Sequence, residues 1–369
     1  MTEKLQLGVV FGGRSGEHEV ALMSARSILS ALDRSKYEVV PFGITKEGKW
    51  LAGEGILEAF EQARTDDLNP VTLLAEPGLG NLYSWREDQV LEIFESLDVV
   101  FPVLHGTFGE DGTMQGLLEL ADIPYVGAGV LASSLAMDKG LFKTVMRANG
   151  IPVVDWTVVL SDELESSMDA VLDRAEALAS YPLFTKPANL GSSVGVSKCR
   201  NRSDLLEGMM DAARYDRRVL VERGVEAREI EVSVLGNESP EASIAGEVVP
   251  GDEFYSYKAK YIDDTSDLLI PAPIEKQVAE QAREMAVEAF KAIDGAGMGR
   301  ADFLLDKQNG HLYMNEINTI PGFTKISMYP KLWEASGLTY PELLDRLVEL
   351  AFDRQAQKDK LLRSFEVEA

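Results

Sequence analysis

A carboxylate and an amide stand close together near the C-terminal end, in HLYMNEINTIPGFT (residues 311–324). Read as an alternating strand, this stretch places Leu312, Met314, Glu316 and Asn318 on one face. The preceding MGRADFLLDKQNG makes it the second arm of a hairpin. A two-residue Asn309–Gly310 turn would leave Asp302 and Glu316 on opposite faces. A three-residue loop of Gln308, Asn309 and Gly310 pairs them directly, with Gly310 at the left-handed position such loops commonly need. Two adjacent carboxylates repel by several kcal/mol, so they must be protonated, solvated or bound to a cation. Two carboxylates and the Asn318 oxygen, completed by phosphates and waters, suit Mg2+. The alternative is a solvent-facing polar stripe; Leu304, Leu312 and Met314 on the same face argue against it.

A second candidate is LFTKPANLGSSVGVSK, residues 183–198. An apolar strand delivers Lys186, and a turn containing Gly191, Ser192, Ser193 and Gly195 leads back into a strand. Glycines let backbone N–H groups converge on an anion, and hydroxyls add donors. The spacing is not that of a P-loop. An ordinary Gly/Ser hairpin is the alternative, and Lys186 on the incoming strand favours phosphate. In FGGRSGEHEV, Gly12, Gly13 and Gly16 follow a strand without the G-x-G-x-x-G spacing of a dinucleotide site. Glu17 there either complements a helix dipole or binds a cationic group beyond the strand ends.

No protein nucleophile stands out. There is no G-x-S-x-G elbow, and the three histidines, His18, His105 and His311, form no zinc-type cluster in sequence. The single Cys199 has no neighbouring histidine and reads as inert. The nucleophile is then a substrate group, as in phosphoryl transfer driven by positioning and electrostatics.

These residues need a scaffold. The chain has 369 residues, 45% hydrophobic and 8% aromatic, enough for two or three domains with their own cores. The net charge of −25 argues against sequence-independent nucleic-acid binding. It also repels anions at long range, so a phosphate site must be local and helped by a divalent cation. One cysteine permits no intrachain disulfide and fits a reducing compartment. The N-terminus runs into a strand with no signal-peptide pattern, and no segment has membrane-spanning length, so a cytoplasmic location is expected. Strands alternate with helices, predicting α/β architecture. LDVVFPVLHG reads as a central parallel strand, and SDEL at 161–164 as the start of an amphipathic helix. Residues 45–95 read as a peripheral elaboration. The polar, tyrosine-containing stretch 252–270 reads as a lid that excludes water from the site.

With these residues in hand, the chain resembles the D-alanine–D-alanine ligases of the ATP-grasp superfamily, from about residue 5 to about 350. The resemblance is carried by GGRSGEHEVALMSA, LHGTFGEDGTMQGLLE, MDKGLFK, KPANLGSSVGVSK, YKAKY, GRADF and NEINTIPGFT, seven motifs in order. It implies an N-terminal α/β substrate domain (1–136), a central ATP-grasp domain (137–223) and a C-terminal ATP-grasp and metal-binding domain (224–369). ATP would lie between the latter two. Lys139 and Lys186 would contact its phosphates, with Ser192, Ser193 and Lys260 nearby. Glu222, Val225 and Glu229 of VERGVEARE would line adenine and ribose, while the role of Arg223 stays open. Asp302, Glu316 and Asn318 match ligands of two Mg2+ ions, for which Mn2+ substitutes.

In such ligases the first D-alanine carboxylate attacks the γ-phosphate of ATP, and the second D-alanine amine then displaces phosphate from the acyl phosphate. Glu17 matches the residue holding the first amino group, with His105 in the same substrate site. Ser192 and Tyr261 match its hydrogen-bonding links to mobile loops. Arg300 and the Gly322 N–H would stabilise developing charge; Ser327 and the Met328 backbone would take the second carboxylate. Plainer readings stand beside these: a structural His105, a solvated Tyr261, an Arg300–Asp302 salt bridge. The rivals are a D-lactate- or D-serine-adding ligase, another ATP-grasp carboxylate–amine ligase, and a silent nucleotide-binding regulator. A homodimer is the family's habit.

Overall fold

In the computed structural model the residues described are 4–86, 88, 90–249, 267–324 and 326–362. Among these residues three sheets follow one another along the chain. The first contains β1 (Leu5–Gly12), β2 (Tyr37–Ile44), β3 (Trp50–Ala52), β4 (Asn69–Leu73), β5 (Asn81–Trp85), β6 (Leu91–Ser96) and β7 (Val99–Val103). Its spatial order is β6-β5-β4-β3-β2-β1-β7, and β1 lies parallel to both β2 and β7. The helix His18–Ala31 makes the crossover from β1 to β2. Leu7, Val9 and Phe11 face it, while Val10 faces the other layer with Leu118 of the helix Thr113–Ala121. Both faces are covered, which is why β1 reads as an unbroken apolar run.

The run containing β7 is apolar for the same reason, but β7 is the outermost of the seven strands rather than a central one. Its open edge is closed by Pro124–Val126, through hydrogen bonds from Val100 N to Pro124 O and from Val126 N to Val100 O. Residues 45–95 supply the antiparallel extension β3–β6 on the far side of β2.

The second sheet contains β8 (Trp156–Leu160), β9 (Leu183–Pro187), β10 (Ser197–Cys199) and β11 (Arg218–Arg223), in the order β10-β9-β11-β8. The helix predicted from Ser161 begins there but stops at Ser166, and a second helix runs from Met168 to Glu176. Glu163 reaches back to the Leu160 N–H, the reciprocal half of a capping box without a hydroxyl at the cap.

The third sheet contains β12 (Ala227–Leu235), β13 (Glu241–Val249), β14 (Asp267–Leu269), β15 (Met298–Asp306) and β16 (Leu312–Asn318), in the order β14-β13-β12-β15-β16. The helix Lys276–Ala292 covers one face through Ala282, Met285, Ala286, Ala289 and Phe290. Phe142 and Met146 of the helix Lys139–Ala148 join that core. The last helix, Tyr340–Lys358, returns to the first sheet, where Leu343, Leu344 and Leu347 pack in one core with Leu7 and Val9.

Candidate active site

Loops beyond the C-terminal ends of adjacent parallel strands make the natural crevice of an open α/β sheet. Glu17 follows β1, and His105 and Glu110 follow β7. Glu17 stands at the N-cap position of the helix His18–Ala31 with its carboxylate turned away from the helix N–H groups, accepting the Ser192 hydroxyl. Gly106 makes room for it: at φ +74°, a Cβ there would lie 2.7 Å from Glu17 Oε2. Ser192 and Ser193 both hold positive φ, +53° and +58°. Such strain in non-glycine residues collects where geometry serves a site.

His105 is buried with both ring nitrogens engaged. Nδ1 donates to the Ile320 carbonyl at 2.9 Å, so in the neutral ring Nε2 accepts the Ser24 hydroxyl at 3.0 Å. Ser24 Oγ in turn accepts from the Phe323 N–H at 3.2 Å. Burial lowers the imidazole pKa and keeps it neutral. His105 thus lines the cleft and also fixes the backbone of residues 320–323. Glu110, absent from the expected set, accepts from the Gly106 N–H at 2.7 Å. Burial, helped by the charge of Glu17, raises its pKa to about 8.

On the third sheet Asp302 and Glu316 are direct cross-strand partners, as expected, but for a different reason. Past them the ladder steps, so that Phe303 pairs with Met314 and Asn315 is the extra residue of a β-bulge. The connection is correspondingly longer than the three residues expected: Asp306 N bonds to His311 O, and Gly310 N to Asp306 O. The bulge also corrects the face assignment. Leu312, Met314 and Ile317 point into the core, whereas Glu316 and Asn318 turn to the opposite side with Arg300, Asp302 and Leu304. Strict alternation would have buried the Glu316 carboxylate beside Met314; one inserted residue re-aims it into the cleft.

Arg300 grips Asp302 with two hydrogen bonds of 2.7 Å, so the salt-bridge reading of this arginine holds. Asn318 Nδ2 donates to Asp302 at 2.9 Å, and Lys139 Nζ lies 3.5 Å from Glu316. Among the described residues no group of three or more His, Cys, Asp or Glu is arranged for a metal. The donor set here is two carboxylates and an amide, a hard oxygen set that fits Mg2+ or a similar cation.

Two chambers meet at this point. The smaller, about 80 Å³, is lined by Glu17, His105, Glu110, Glu231, Arg300, Asn318, Gly322, Ser327 and Met328. The larger, about 600 Å³, is lined by Lys186, Ser193, Glu222, Val225, Glu229 and Leu304 among others. Lys139, Gly191, Ser192 and Glu316 line both and form the shared wall. Asp302 is not among the lining residues; it sits behind Arg300 and Asn318. Gly322 lets Ser327 approach, since a Cβ there would meet Ser327 Oγ at 2.8 Å. Ser327 precedes the helix Met328–Ala335, whose first N–H groups suit an anion. Lys260, Tyr261 and the lid expected at 252–270, except for β14 and Ile270, lie outside the described residues.

In the larger chamber one carboxylate serves two lysines. Glu222 lies 2.6 Å from Lys186 Nζ and 2.9 Å from Lys143 Nζ. Burial alone would raise the Glu222 pKa, but the two ammonium groups bring it down to about 2. Lys143 is 0% exposed, and burial lowers its pKa. Of MDKGLFK, the expected set holds only Lys139. A second lysine four residues on, beside core residue Phe142, was the available signal. Cys199 is buried, and burial pushes its thiol pKa up, consistent with inertness.

The profile described as D-ala D-ala ligase N-terminus matches residues 6–128, and that described as D-ala D-ala ligase C-terminus matches 145–349. The D-alanine–D-alanine ligase of Natranaerobius thermophilus is 50% identical over 359 residues, 97% of this chain and 98% of that protein. One from a Thermoanaerobacter species is 52% identical over 358 residues, 96% of this chain and 99% of its own. Among solved structures, the D-alanine-D-alanine ligase from Coxiella burnetii superposes with a TM-score of 0.82 at 39% identity, covering 97% of both chains. The VanG D-Ala:D-Ser ligase from Enterococcus faecalis gives 0.84 at 33%, covering 95% of this chain and 100% of that one. The chain belongs to the D-alanine–D-alanine ligase family, and its architecture is that of the ATP-grasp ligases.

Proposed function

We propose that this protein is an ATP-dependent ligase that joins two D-alanines into D-alanyl-D-alanine for cell-wall precursor synthesis, working in the cytoplasm as a homodimer. The observation that carries the reading is the shared wall. A roomy chamber with lysines and a small acidic chamber meet at Lys139, Ser192 and Glu316. Nucleotide in one and amino acids in the other would bring a γ-phosphate to a carboxylate at that wall.

A carboxylate oxygen of the first D-alanine attacks the γ-phosphorus and ADP leaves. The amine of the second D-alanine then attacks the acyl phosphate carbon, phosphate leaves, and the amine gives up a proton. Glu17 binds the first ammonium group, and Ser192 ties the glycine-rich loop to it. Lys139 and Lys186 hold phosphates; Ser193, Glu222, Val225 and Glu229 line the nucleoside. Asp302, Glu316 and Asn318 would hold Mg2+, two ions with Mn2+ as substitute, and such cations neutralise phosphate charge. Arg300 and the Gly322 N–H stabilise charge on the tetrahedral centre, where one donor is typically worth about 100- to 1,000-fold in rate. Ser327 and the Met328 N–H take the second carboxylate. Glu110, with its raised pKa, is our candidate for the amine's proton. Lys260 and Tyr261 are assigned to the closing loop by resemblance. We assign the three units 1–136, 137–223 and 224–369 one sheet each, although the helix Lys139–Ala148 packs with the third sheet and the helix Tyr340–Lys358 with the first.

Phosphate release from ATP tests the reading when D-alanine, L-alanine and D-lactate are compared with and without Mg2+. D-Alanine with Mg2+ should be strongly preferred. Preferential ester formation with D-lactate near neutral pH would reject the choice of second substrate, and activity unaffected by chelation would reject the cation site.

A further inference from the structure

Glu231 has no part in the assignments above, yet it occupies a place in the site's charge pattern. Across three neighbouring strands Glu231 pairs with Asp302, and Asp302 with Glu316. Three carboxylates therefore stand in one row across β12, β15 and β16. Glu231 is 4% exposed, and burying a carboxylate is unfavourable without a charged partner. Its Oε2 lies 2.9 Å from Nε of Arg300, the same nitrogen that donates to Asp302 at 2.7 Å. One edge of the guanidinium is thus held between two carboxylates.

The two holders are not equivalent. Asp302 is assigned to the cation, and its oxygens cannot serve cation and guanidinium fully at once. We propose that Glu231 is the positioning residue for Arg300, keeping the guanidinium in place when Asp302 turns to the cation. With a cation bound, Asp302 would turn from Arg300 toward it, while Glu231 would stay with Arg300. Without Glu231, Arg300 would hold Asp302 more tightly and compete with the cation for it. An arginine fork is suited to this because it can face carboxylates along more than one edge. The inference rests on the proposed roles of Arg300 and Asp302.

The test is a double-mutant cycle of Glu231→Gln and Arg300→Met, with two readouts: kcat, and Mn2+ binding measured by electron paramagnetic resonance with a non-hydrolysable ATP analogue. E231Q should lower kcat about 50-fold with KM for ATP within about twofold, and weaken Mn2+ binding about fivefold. In the R300M background E231Q should cost less than about threefold in kcat and leave Mn2+ binding unchanged. Glu231→Asp should recover about fivefold of the lost rate, and it carries the same cycle should E231Q not fold. Equal losses from E231Q in both backgrounds, or unaltered Mn2+ affinity in the single variant, overturn the inference while leaving the proposed function intact. An R300M enzyme with wild-type kcat overturns the inference together with the charge-stabilising role assigned to Arg300.

Discussion

Glu222 and Glu110 are two carboxylates enclosed by protein about one chamber apart, and their environments push them in opposite directions. Glu222 faces Lys143 and Lys186 and is held ionised, with its pKa near 2. Glu110 faces backbone N–H groups and the Glu17 carboxylate, and its pKa rises to about 8. The same side chain becomes a fixed anion in one chamber and keeps its proton to higher pH in the other. Burial pushes both upward; two ammonium groups reverse it at Glu222, whereas the Glu17 carboxylate adds to it at Glu110. The larger chamber, with Lys186, Lys198, Arg223 and Lys307 on its walls, is built for an anion within a protein of net charge −25. The smaller one has Glu17, Glu110 and Glu231 on its walls beside Lys139 and Arg300, and its carboxylates suit the ammonium groups of the proposed substrates.

The sharpest way to break this contrast is at the shared wall. Glu316→Ala should lower phosphate release at least about 1,000-fold, roughly 4 kcal/mol, without unfolding the protein. A rate within tenfold of wild type would remove the cation assignment. Next, Lys143→Met should leave Glu222 with one lysine. It should cost about 3 kcal/mol of stability in denaturant unfolding and raise KM for ATP about tenfold, with KM for D-alanine little changed. An unchanged KM for ATP would separate Lys143 from the nucleotide chamber.

Glu110 gives a test with a sign. Its folded pKa lies above its unfolded value, so the native state holds more protons between about pH 4.5 and pH 8. Stability then falls as pH rises through that window. Relative to Glu110→Gln, the wild-type melting temperature should drop by about 4 °C between pH 5 and pH 8.5. Glu222 should add nothing to that slope, because its contribution is lost only as pH falls below about 4.5 toward 2. Parallel melting curves for wild type and E110Q across this range would contradict the Glu110 assignment. Ser24→Ala should remove the link between His105 and residue 323, costing about 1 kcal/mol in stability and raising KM for D-alanine about fivefold. The smallest effect belongs to Cys199→Ala, whose turnover should stay within about twofold.

Much of this was legible in sequence where local pattern and packing agree. The β1 glycines, the helix after Glu17 and the Lys186 strand followed by its Gly/Ser turn all stand where expected. The Asp302–Glu316 pairing was legible in outcome only. A β-bulge has no period of its own, so alternation assigned Leu312 and Met314 to the wrong face. β3 to β6 were unreadable because their burial does not alternate cleanly; β6 is half-buried only at Leu91 and Phe94. Glu110, Lys143 and Glu231 escaped because each lies among residues already read as helix, loop or strand. Their meaning comes from partners that are distant in sequence.

The helix Tyr340–Lys358 carries a consequence for biosynthesis. Leu343, Leu344 and Leu347 complete the core against Leu7, Val9 and Phe101, and Arg354 and Lys358 both reach Glu119. The strands of the first sheet therefore wait for a helix made long after them, and the ribosome must extrude the second and third sheets before that greasy face is sealed. A chain cut short near residue 338 should emerge as an aggregating fragment rather than as a shorter enzyme.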